Sequence, residues 1–144
     1  MNFSKEIKTE IGISVTNGAA GTTDITGATC DCQRAGGVQI EVVMGAIVSG
    51  AVTTIKAQGS DDDSTWVDLE GTSQTIGDTD DEKVFYIDLV RPRHRYNRVY
   101  VDRATQNATV AAALYHKYAL AKQPTTQGTN VSGETHYSPA SGTA

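Results

Sequence analysis

From Ile7 onward, apolar and polar residues exchange at every second position along most of the chain, and that period of two constrains it to β-strands. Ile7, Thr9, Ile11, Ile13 and Val15 alternate with Lys8, Glu10, Gly12 and Ser14. A weaker segment covers 25–32. The clearest strand places Val38, Ile40, Val42, Met44, Ala46 and Val48 on one face. Ser49-Gly50 is a two-residue hairpin signal, with 51–57 as the returning strand. Further strands are expected at 65–69, 83–90 and 96–103. The expected core face is Val38, Ile40, Val42, Phe85, Ile87, Leu89, Val99 and Val101. Segment 108–120 is rich in Ala and Leu and so open to helix. Its alternation of Val110, Ala112, Leu114, His116 and Tyr118 fits a buried strand better, because the other strands need a partner. Short strands broken by Gly, Asp and Asn clusters predict an all-β fold, an antiparallel β-sandwich of jelly-roll type spanning 1–120. Residues 121–144 have Val131 and Tyr137 as their only large apolar side chains, too few for independent folding, and read as an extended C-terminal arm or a terminus without structure.

With 144 residues and 38% hydrophobic content, the chain suits one domain with its own core. No apolar run approaches the ~20 residues that cross a bilayer, so no membrane partner is expected. The start, Met1 to Ile7, lacks an apolar core and a small-residue cleavage site, which predicts function without export. A net charge of −5 opposes general nucleic-acid binding. Cys30 and Cys32 form a lone C-x-C, at most half of a structural zinc site, and are expected to be small buried or half-buried thiols. No metal or cofactor is expected.

The net charge hides a segregation. Residues 59–82 hold nine carboxylates and no base, whereas 91–103 hold five arginines and His94 against the single Asp102. Opposed patches suit contact between copies, since complementary charge fixes register. The candidate contact residues are Asp61, Asp62 and Asp63 in the acidic loop and Arg91, Arg93 and Arg95 in the basic one. The acidic loop lacks the ligand spacing of a calcium loop. Pro92 stops the preceding strand and leaves the guanidiniums free for bidentate carboxylate contacts. No nucleophile elbow, HExxH, Walker loop or dinucleotide fingerprint occurs, so no enzymatic activity is expected.

The stretch Lys83-Val84-Phe85-Tyr86-Ile87-Asp88-Leu89-Val90-Arg91-Pro92-Arg93-His94-Arg95-Tyr96 resembles a small structural protein of tailed bacteriophages. So do its continuation from Arg98 to Ala108 and the ending from Ser132 to Ala144. Such proteins resemble capsid decoration, or cement, proteins, and the likeness covers about 55–144. It implies a structural virion protein of the capsid, and the net negative charge favours the outer surface, away from packaged DNA. Its partners would be the major capsid protein and neighbouring copies of itself (a homo-oligomer, with a trimer as the expectation). Val131 and Tyr137 would then anchor the arm in pockets of a neighbouring subunit. A looser likeness exists between Gln58–Leu69 and the hairpin of discoidin-like jelly rolls, although Asp63 replaces its glycine. It leaves a carbohydrate- or receptor-binding module as an alternative, beside a tail or neck component. Trp66 is expected in the core rather than as a sugar platform.

Overall fold

The alternating segments form strands in the computed structural model, which describes residues 2–143. A one-turn helix α1 (Phe3–Glu6) precedes β1 (Lys8–Ile13), β2 (Ile25–Thr26), β3 (Cys30–Asp31), β4 (Gly37–Ile47) and β5 (Thr53–Ser60). Then follow β6 (Val67–Asp68), β7 (Gln74–Ile76), β8 (Val84–Val90), β9 (Tyr96–Arg103) and β10 (Ala108–Tyr118). The first sheet has the order β1-β10-β4-β8. The second runs β2-β9-β5-β6, with β3 also on β9 and β7 also on β5. All these pairings are antiparallel. Taken as halves of interrupted strands, β2 with β3 and β6 with β7 complete a four-on-four jelly-roll wrap. Segment 108–118 is a strand because β1 and β4 clamp it on both sides, which outweighs its helix propensity.

Between the sheets lie Ile13, Val38, Ile40, Val42, Met44, Val110, Ala113 and Tyr115 from the first, and Ile55, Ala57, Ile76, Val99 and Val101 from the second. Six of the eight expected core residues are buried there. Phe85 and Leu89 are only partly buried, since β8 is an edge strand with a neighbour on one side.

Bulges re-aim the alternation in places. Ile11 opposes Leu114 but Ile13 opposes Ala113, so Gly12 is an extra residue. Ile11 and Val15 consequently face solvent. A Cβ on Gly12 would lie 2.6 Å from the Tyr115 ring, which is why glycine occupies the bulge. Two more irregularities, around Ala111 on β10 and around Gly45 and Ala46 on β4, compensate each other. They bring Ile47 inside and leave Ala46 and Val48 exposed, and they turn Ala113, Tyr115 and Lys117 inward in place of Ala112, Leu114, His116 and Tyr118. The turn at Ser49-Gly50 is present, with Gly50 at φ 83. It is not a hairpin, however: β4 already has β10 and β8 on its two sides, so β5 crosses into the other sheet.

Both edges of the second sheet are interrupted, and a hydroxyl fills each gap. Between β2 and β3 the chain leaves β9, and the Tyr115 hydroxyl reaches across the core to accept from the Val99 N–H (3.1 Å) and donate to the Ala28 carbonyl (2.8 Å). Between β6 and β7, Thr72 Oγ1 accepts from the Ala57 N–H (3.1 Å) and donates to the Leu69 carbonyl (2.7 Å). Tyr115→Phe keeps the ring but leaves the buried Val99 N–H without its acceptor, an expected loss of about 1–3 kcal/mol in urea unfolding. Ile40→Ala should cost about 2–5 kcal/mol and Phe85→Ala roughly half the penalty of a fully buried ring, an ordering that equal losses would refute.

Candidate interaction surface

Strand β5 ends and β9 begins at the paired residues Ser60 and Tyr96, so loops 61–66 and 91–95 leave the sheet side by side. The acidic and basic runs therefore meet within one molecule. His94 Nδ1 lies 3.0 Å from an Asp61 carboxylate oxygen. The His94 ring lies over Gly59, where a Cβ would be 2.5 Å from it.

Within the acidic loop, Asp62 accepts from the N–H groups of Ser64 (2.9 Å) and Thr65 (2.7 Å) and from the Ser60 hydroxyl (2.9 Å). The Thr65 and Ser64 backbone bonds hold its carboxyl well below the usual range. Asp63, at φ 58, accepts from the Thr29 hydroxyl at 2.7 Å. This is self-capping loop chemistry. In the second acidic run Asp80 caps its own turn at the Gly77 N–H, whereas Asp81 and Asp78 reach across to the Ile47 and Gly50 N–H groups, at and just after the end of β4.

The arginines divide into two groups. Arg95 makes a fork to Asp31 at 3.1 and 2.8 Å. The Arg98 guanidinium covers the Trp66 ring at 4.0 Å and donates to Gln58 at 2.9 Å. Trp66 thus belongs to the outer face of the second sheet, not to the core. Arg103 is buried and donates to the carbonyls of Thr23, Ala19 and Ala108 at 2.7 Å each, tying the 17–24 bend to β9. Among the described residues, Arg91 and Arg93 have no carboxylate partner, and both are exposed. They border a groove of about 660 Å³ between β8 and the 67–72 segment, lined by Leu69, Thr72 and Leu89.

The C-terminal arm returns to the other side of the molecule. The Thr125 N–H donates to the Lys5 carbonyl at 2.7 Å. Gln127 accepts from the Thr9 N–H (3.0 Å) and donates to the carbonyls of Ser4 (3.1 Å) and Ile7 (2.7 Å). Tyr137 is 78% exposed, its hydroxyl 3.3 Å from Lys5 Nζ, while Val131 is half-buried. The anchoring role of Gln127 was invisible in the sequence, where the arm offered only its apolar residues as signals. Cys30 and Cys32 are buried with their sulfurs 3.8 Å apart. Among the described residues, no group of three or more His, Cys, Asp or Glu side chains gathers as metal ligands do.

No family model matches the chain, and no curated protein matches it. Among solved structures, the PBSX exported protein XepA has a similar fold, with a TM-score of 0.56 and 15% identity over 96% of this chain. The match covers 45% of that protein, so the chain spans less than half its length. At this identity the likeness concerns the fold.

Several carboxyls sit below their usual value of 3.8: Asp31 through Arg95, Asp24 through the Tyr100 hydroxyl and Asp68 through Lys56. A carboxyl lowered by folding stabilises the protein above its unfolded pKa, and the contribution fades as pH falls through the folded value. The thermal midpoint should therefore drop as pH falls below about 4, and Asp31→Asn should flatten that acid limb. An unchanged limb in the variant would show that the Asp31–Arg95 fork carries no linkage.

Proposed function

We propose that the chain is a structural protein of a phage particle, bound on the outer surface of the head to the major capsid protein lattice and to neighbouring copies of itself. The observation that carries this reading is the sandwich fold shared, over 96% of the chain, with a protein of the phage PBSX. The resemblance of 55–144 to small structural proteins of tailed phages, read from the sequence, points the same way. The role is mechanical and requires no catalysis, cofactor or metal. A protein that binds only the mature lattice stabilises that lattice by its binding free energy. Many copies on one shell make modest contacts effective.

Two features suit such binding. Arg91 and Arg93 are presented on a loop and can form forks with carboxylates of another subunit. The distal arm, beyond its attachment at Gln127, carries Val131 and the exposed Tyr137 along an extended path that a neighbouring subunit can accept. A sugar-platform role for Trp66 fits less well, since Arg98 already covers one face of the ring.

Copies per particle, counted by quantitative mass spectrometry, should scale with the number of capsid subunits; a small fixed ring number would move the protein to the tail or neck. Truncation after Gly128 keeps the Gln127 attachment and should leave a folded domain with much reduced occupancy on shells of the cognate capsid protein. Full occupancy of the truncated protein would remove the arm from the binding mechanism.

A further inference from the structure

Strand β8 closes the first sheet on one side, with β4 as its only strand partner among the described residues. The Lys83 carbonyl and Arg91 N–H point toward β4, where they bond Met44 and Gly36. In an antiparallel ladder the backbone groups of successive residues point to opposite sides, so those of Val84, Tyr86, Asp88 and Val90 point to the open edge. The Tyr86 carbonyl confirms the direction, since it is met there by the Gln74 side chain at 2.8 Å rather than by a strand. The outward side chains Val84, Tyr86 and Val90 are 55%, 60% and 67% exposed. A long edge with an apolar row, no proline and no inward charge is what natural sheets avoid leaving uncovered.

The ends of this strand carry opposite charges, and only some of them are paired within the molecule. Lys83 is neutralised by Asp80 at 2.6 Å, His94 faces Asp61 and Arg95 is forked to Asp31. Among the described residues, Glu82 before the strand and Arg91 and Arg93 after it make no ion pair.

We propose that two copies of this chain pair through β8, edge to edge and antiparallel about a two-fold axis at Ile87. This deepens the reading above by naming a surface through which copies meet. In that register Val84 faces Val90 of the second copy, Tyr86 faces Asp88, and Phe85 faces Leu89, so the two half-buried core-face residues cover each other. The same register sets Glu82 opposite Pro92 of the second copy, between its Arg91 and Arg93. An isologous contact makes this arrangement twice, from one set of residues. The Asp88 N–H of the second copy takes over the Tyr86 carbonyl from Gln74. A shift of one residue would turn the outward row inward, and the neighbouring in-phase registers, centred on Tyr86 or Asp88, would set Val84 against Asp88 or Pro92 instead of Val90.

Sedimentation velocity over a concentration series tests the pairing. The wild-type chain should form dimers that weaken with added salt, as exposed charge pairs do. Glu82→Lys alone, and Arg91→Glu with Arg93→Glu together, should each weaken dimerisation by about tenfold or more, while the triple variant, with the charges exchanged, should recover most of the loss. None of these side chains makes an ion pair in the monomer, so the fold should survive each change, as circular dichroism can verify. A wild-type chain that stays monomeric into the millimolar range would overturn the proposal, as would a triple variant no stronger than its parents. Shell occupancy is a separate readout. A wild-type chain that binds shells but forms no dimers would refute the β8 pairing alone, and wild-type dimers without shell binding would refute the capsid reading alone.

Discussion

The second sheet depends on hydroxyl groups placed where strand neighbours are missing. A sandwich flanks its central strands with neighbours on both sides, and a buried N–H without an acceptor costs about 1–3 kcal/mol. Strand β9 would leave the Val99 N–H unpartnered where β2 gives way to β3, and the Tyr115 hydroxyl supplies the acceptor from the opposite sheet. The requirement spreads outward. The side chain needs glycine at positions 12 and 27, where a Cβ would lie 2.6 Å from its ring and from its hydroxyl, respectively. Glycine at 12 creates the bulge, and the bulge sets which β1 residues face the core. One side chain thus couples both sheets, two glycines and a register shift.

Much of this fold was legible as sequence, and the misreadings have identifiable causes. The alternation located the long strands well because their faces differ sharply in environment. It could not register bulges, since one extra residue inverts a strand's faces without altering composition; Ile47 and Tyr115 were misplaced for that reason. The turn at Gly50 was visible, but which strand follows it depends on how many neighbours β4 already has, a fact distant in sequence. Strand β7 and helix α1 are too short to show a period.

The charge clusters were read from proximity in sequence, whereas their roles depend on geometry. Arg103 sits within the basic cluster yet is a buried brace for the 17–24 bend. Asp62 and Asp80 serve backbone N–H groups of their own loops, and Asp78 and Asp81 serve those of Gly50 and Ile47. Of the five arginines, Arg91 and Arg93 remain without an internal task among the described residues. A segregated charge pattern therefore overstates the charge available to a partner, and the part left available is defined only when each side chain's neighbours are known.

The attachment of the arm has a consequence for the size of any assembly. Gln127 occupies the Thr9 N–H and the Ile7 carbonyl, which face outward from β1, the far edge of the sheet that β8 begins. A sheet with both edges bare could add subunits at each side without limit, the geometry of a filament. With the arm laid across one margin, only the β8 border of this sheet stays open to the pairing proposed above. Growth by edge addition then halts after one step, and the arm acts as a terminator of polymerisation as well as a tether.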